Sequence, residues 1–107
     1  MTNLTPKLKK EINKLHTAHG RKKSKYYIIE GLRCCEEALS KIDNHIVSII
    51  TSDDYNGLID DQRNTVVDCK EFNELSQTQT PQGIIILAYR PDFVNLKFEL
   101  FKYYLNY

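Results

Sequence analysis

The side chains best placed to do chemistry in this chain are cations. Lys7, Lys9, Lys10, Lys14, Arg21, Lys22, Lys23 and Lys25 stand against only Glu11 and Glu30 within residues 1–30, a local balance of +6. Residues 31–107 carry seven basic and twelve acidic groups, a balance of −5, so the whole-chain value of +1 hides a strong asymmetry. A cationic end of this kind does not cleave or transfer bonds; it attracts a polyanion, releases its counterions and makes binding steeply salt-dependent. The competing reading of a basic run is a solvated helix face that keeps the domain soluble.

Other chemistries find little support. His16, His19 and His45 adjoin no Ser or Cys arrangement of recognisable nucleophilic geometry, so no catalytic residue is expected. Gly20, Gly31, Gly57 and Gly83 stand apart and form no phosphate or dinucleotide loop, so no nucleotide cofactor is expected in this chain. Asp53, Asp54, Asp60 and Asp61 lack the spacing and bidentate Glu of a calcium loop, and the adjacent Cys34 and Cys35, with Cys69, lack zinc-knuckle spacing. No metal site is expected, and the cysteines read as small buried hydrophobes.

The elements that must hold the cations follow from pattern. Thr5 and Pro6 open a helix, and Leu8, Ile12 and Leu15 form its apolar stripe, with Gly20 expected to end it. After a basic loop over Arg21 to Lys25, Tyr26 to Glu30 reads as a strand covered on both faces, and Gly31 makes the turn. Leu32, Cys35, Ala38, Leu39 and Ile42 predict an amphipathic helix, and Ile46 to Thr51 a second strand parallel to the first. A short helical turn is expected within Asp53 to Asn64 and a third strand at Thr65 to Val67. Asp68 and Glu71 open a short helix through Phe72 and Leu75, and Ile84 to Tyr89 is the last strand. Such alternation predicts one α/β sandwich with a mainly parallel sheet. The turn at Gly31 offers helix N–H groups to an anion, and Arg33 stands beside it. Residues 1–91 form the domain; residues 92–107, rich in Phe and Tyr, read as a linker or the start of a further element. Nothing at the N-terminus resembles a secretory leader, and a cytoplasmic location is the expectation.

In order, the basic helix, Arg21, the strand into Glu30 and Gly31, the helix through Glu37, Ala38 and Leu39, and Thr78, Thr80, Pro81, Gln82, Gly83 and Ile84 form a pattern. It resembles the N-terminal substrate-binding domain of the SpoU, or TrmH-type, RNA ribose 2′-O-methyltransferases over residues 4 to 91. The resemblance implies a three-layer α/β/α unit similar to the kink-turn-binding ribosomal proteins, with structured RNA, rRNA or tRNA, as partner. It implies RNA contacts from Lys10, Lys14, Arg21, Lys22, Lys23, Lys25, Gly31 and Arg33, while Gln82 and Gly83 match the motif and equally suit a structural turn. It also implies that S-adenosylmethionine is bound by a separate C-terminal knotted domain of the parent enzyme, whose motifs do not occur after Tyr89; this chain alone is expected to be non-catalytic. The alternative is a protein-interaction or dimerisation module using the aromatic segment Phe93 to Tyr107, and a homodimer through that segment or the missing domain is the corresponding expectation.

Overall fold

A computed structural model of the chain describes residues 4–57 and 59–90; the aromatic segment from residue 92 lies outside them. In chain order the elements are α1 (Pro6–Lys14), α2 (Ala18–Lys23), β1 (Tyr26–Glu30), α3 (Leu32–Lys41), a 3-10 turn (Asp43–His45), β2 (Ile46–Ser52), β3 (Asn64–Val67), α4 (Cys69–Leu75) and β4 (Ile84–Tyr89). Residues 53–57 and 59–63 form turns and irregular chain where a short helical turn is expected from sequence. Among the described residues no helix is long and apolar enough to cross a membrane.

Local chemistry places most boundaries. The Thr5 hydroxyl accepts from the Leu8 N–H with Pro6 in the first helical turn, and an Asp68 carboxylate oxygen accepts from the Glu71 N–H at 2.7 Å. Both are side-chain caps that satisfy N–H groups a helix start leaves open. The expected end of the first helix is corrected. It stops at Lys14, and Gly20 lies inside a second helix that includes Arg21, Lys22 and Lys23 instead of leaving them in a loop. Thr17 caps that helix through the Gly20 N–H. A Cβ on Gly20 would lie 1.8 Å from the Lys14 carbonyl oxygen, so this glycine serves the close approach of two helix ends and terminates neither.

The sheet runs in the order β1-β4-β2-β3, and here the expectation of a mainly parallel sheet is overturned. β4 pairs antiparallel with both β1 and β2, and only β2 and β3 pair in parallel. The crossover from β1 through α3 does return β2 in the direction of β1, since both oppose β4. The chain's last described strand, however, occupies the gap between them. The apolar run of β4 reflects its central position, because a strand covered on both faces is apolar on both whatever its direction.

Alternate strand residues face two separate cores. Ile28, Ile50, Ile85 and Leu87 pack with Ile12 and Leu15 of α1 and Phe72 and Leu75 of α4. Tyr27, Ile29, Ile49, Ile84 and Ile86 pack with Cys35, Ala38 and Ile42 around α3. The helices therefore lie in two layers on either side of the sheet. Ile46 and Ile49 share a face although three residues apart, which alternation forbids; a register shift against β4 between Ile46 and Ser48 supplies the extra residue.

Candidate nucleic-acid interface

The bulge in β2 and the tight corner between α1 and α2 enclose a cleft of about 1010 Å³. Lys7 and Lys14 come from α1, Lys23 from the end of α2 and Lys25 from the entry to β1, while among the described residues Glu11 is the one lining carboxylate. That carboxylate is already engaged: the Ser24 hydroxyl donates to it at 3.0 Å and the Lys14 ammonium lies 3.7 Å away. The rim is accordingly cationic. Leu8, Tyr26, Val47, Ser48 and Leu87 also line the cleft and give it an apolar floor.

Two hydrogen-bond systems fix the corner that presents Lys23 and Lys25. The Arg21 guanidinium donates to the Leu15 carbonyl at 3.1 Å, and Arg90 Nη1 donates to the carbonyls of Arg21, Lys22 and Ser24. A guanidinium at the C-terminal end of a helix satisfies its open carbonyls and opposes the negative end of its dipole. Arg90 is a site residue that sequence reasoning misses, since nothing local links it to residues so distant along the chain. Lys9 points elsewhere, 4.0 Å from both Glu71 and Glu74 of α4, and His16 Nε2 lies 3.0 Å from the Leu75 carbonyl, fastening the same pair of helices.

The RNA-contact residues named from sequence thus divide. Lys14, Lys23 and Lys25 line the cleft with Lys7, which that set omits. Lys10 is exposed on α1 between Lys7 and Lys14, and the Lys22 side chain is exposed on α2. Arg21 uses one guanidinium nitrogen to hold the corner. Gly31 and Arg33 lie at the other end of β1, which pairs continuously with β4 over its five residues, so about 17 Å of extended strand separates them from Lys25. The fold does not merge the two groups.

At that far end the two specific motif pieces meet. Gly31 has φ of 97°, a conformation costly for residues with a Cβ, and it precedes α3 without a side chain to cap it. Gln82 supplies the missing cap from across the chain: its Oε1 accepts from the Leu32 N–H at 2.7 Å. One of the helix donors expected to greet an anion is therefore already satisfied. Glu30 holds the same loop, accepting from the Ser76 hydroxyl and, at 3.1 Å, from the Gln77 N–H. Glu30, Gly31, Gln77, Thr78, Thr80 and Gln82 line a smaller cleft of about 420 Å³ there.

The cysteines divide too. Burial pushes the Cys35 thiol up to about 12 while its Sγ lies 3.5 Å from the Ile29 carbonyl, so it stays protonated and packs as a hydrophobe. Cys69 is exposed beside Asp53 and Asp54, with ligand atoms within 4.8 Å of one another. Its thiol donates to Asp54 at 3.1 Å, which raises the pKa of the thiol, while the Ser52 hydroxyl first and this thiol second lower that of the Asp54 carboxyl.

Among known proteins, the family model described as the MRM3-like substrate binding domain matches residues 6–86 of the chain. No curated protein matches it.

Proposed function

The chain belongs to the MRM3-like substrate-binding domain family, and from that premise we propose that it is the RNA-binding domain of an RNA 2′-O-methyltransferase of the SpoU/TrmH type. The observation that carries this reading is the convergence of Lys7, Lys14, Lys23 and Lys25 on one cleft beside the exposed Lys10 and Lys22. Ammonium groups gathered on one surface attract a polynucleotide backbone, and the acidic remainder of the chain orients that surface toward RNA. The ligand in this reading is structured RNA, rRNA or tRNA, gripped by charge and shape.

Methyl transfer is assigned to a separate domain of the parent enzyme, which supplies S-adenosylmethionine. This chain's part is to bind and orient substrate. The test is a filter-binding titration of the 107-residue protein with a structured rRNA fragment and a tRNA across a salt series. Four to six phosphate contacts give a slope of log K against log salt of about −3 to −5. Absence of binding at low salt, or binding indifferent to salt, refutes the reading.

A further inference from the structure

A lysine rim accounts for phosphate groups but leaves the floor beneath it unexplained. Leu8, Val47 and Leu87 make that floor apolar, and a sugar-phosphate chain gains nothing from apolar surface. Two details of the floor point to a flat, polar-edged ligand. Tyr26 is half-buried there with its ring centroid 5.2 Å from that of Tyr89, and the Lys25 ammonium lies 5.5 Å from the Tyr26 centroid. An ammonium over a ring at an exposed site is weakly held, so a flat ligand can take that ring face while the cation moves to a neighbouring anion.

Ser48 is the second detail. The bulge in β2 brings both Val47 and Ser48 to the cleft, where strict alternation would bring only one. Ser48 is 7% exposed and lines the cleft, and its Oγ is not a buried atom left without a partner. A hydroxyl on the floor of an open cleft can exchange water for the polar edge of a ligand.

We infer that this cleft receives an unpaired nucleotide. The base lies on the Tyr26 ring and the aliphatic floor, Ser48 Oγ bonds its edge, and Lys7, Lys14, Lys23 and Lys25 hold the flanking phosphates. This rests on the RNA-binding reading and narrows it. The cleft volume of about 1010 Å³ lies at the upper end of the range of about 300–1,000 Å³ for ligand sites, and base-on-aromatic stacking is the usual way proteins hold unstacked nucleotides.

The test compares two RNA hairpins of equal length and charge, one fully paired and one carrying a single bulged 5-iodouridine. Binding of the bulged hairpin about 10-fold tighter is expected. Tyr26→Leu, which keeps an apolar side chain against the core, should bring the ratio to about one while leaving the salt slope of the paired hairpin unchanged; Tyr26→Phe should preserve the ratio. Equal binding of both hairpins by the unaltered protein overturns the nucleotide site and leaves the charge-based reading standing, whereas failure to bind either overturns both. If Tyr26→Leu does not fold, photocrosslinking of the iodouridine to the unaltered protein decides: a crosslink to Tyr26, Tyr89 or Val47 supports the site, and a crosslink only elsewhere overturns it.

Discussion

The two ends of β1 use polar residues in opposite ways. At the Glu30 end the polar groups face one another: Gln82 caps α3, and Glu30 holds Ser76 and Gln77. At the Tyr26 end the lysines face outward around an open cleft, and Glu11, the one lining carboxylate among the described residues, is already held by Ser24 and Lys14. The residues with the most specific spacing in the sequence form an internally satisfied joint. The residues with the loosest pattern, a mere excess of charge, form the surface open to a ligand. A motif can be specific because its side chains must fit each other, and specificity of pattern alone does not separate that role from ligand contact.

The comparison breaks most sharply under charge reversal at the open end. Replacing Lys7, Lys14 and Lys23 together by Glu should weaken RNA binding by a factor of roughly 100 or more and flatten its salt slope by about two to three units, read by filter binding across salt. The same three changes should leave the far-UV dichroism of the chain intact, since none of these side chains belongs to either core. Unchanged affinity would place the interface elsewhere.

A somewhat smaller effect, on stability this time, is expected from Gly20→Ala. The new methyl meets the Lys14 carbonyl, a backbone atom that cannot swing away. The corner carrying Lys23 and Lys25 should shift at a cost of about 1–3 kcal/mol in chemical denaturation, with RNA affinity falling alongside. Stability equal to the parent would show that α2 is not packed against the end of α1 as described.

At the closed end, Gln82→Leu removes the acceptor of the Leu32 N–H and should cost about 1 kcal/mol, the usual loss when a helix start forfeits its cap. RNA affinity at the lysine cleft should not follow it. Affinity that drops with stability unchanged would reverse the contrast drawn above and make the joint a contact surface.

The smallest effect belongs to neither end and serves as a reference. Hydrogen bonds from the Arg63 guanidinium hold the Asp61 carboxyl down at about 2, with the Arg63 N–H adding to the same effect. A carboxyl depressed in the folded chain stabilises it above its ordinary value of 3.8 and ceases to do so as pH falls through about 2. Asp61→Asn should therefore lower stability near neutral pH, with the difference from the parent shrinking over that window in acid-denaturation profiles. A pH-independent difference would mean that the pair is not what supports the carboxylate.

Much of this architecture is legible in local pattern. The caps at Thr5 and Asp68, the positive-φ turn at Gly31 and the two-faced burial of β1 and β4 follow from residues within a few positions of each other. The Gly20 region fails that test, because the atom that demands a glycine is the carbonyl of Lys14, six residues earlier and on another helix. Strand order fails it as well. An apolar run such as Ile84–Ile85–Ile86–Leu87 announces a strand buried on both faces, but its neighbours and their direction depend on where the chain returns. Residues in and around the cleft divide along the same line: charge made Lys14, Lys23 and Lys25 visible, while Tyr26 resembled an ordinary strand residue and Arg90 carried no local signal.

By itself, then, the sequence determined the four strands and the helices α1, α3 and α4, though not α2, together with the faces they bury and the end at which cations concentrate, because periodicity, capping and charge are properties of neighbouring residues. Tertiary structure alone decided that β4 enters between β1 and β2, that Gln82 closes α3 and that four lysines share one cleft while Gly31 and Arg33 stand apart. Those outcomes depend on contacts between residues far apart in the chain, and such contacts are chosen by the joint burial of two cores and the satisfaction of distant hydrogen-bond partners.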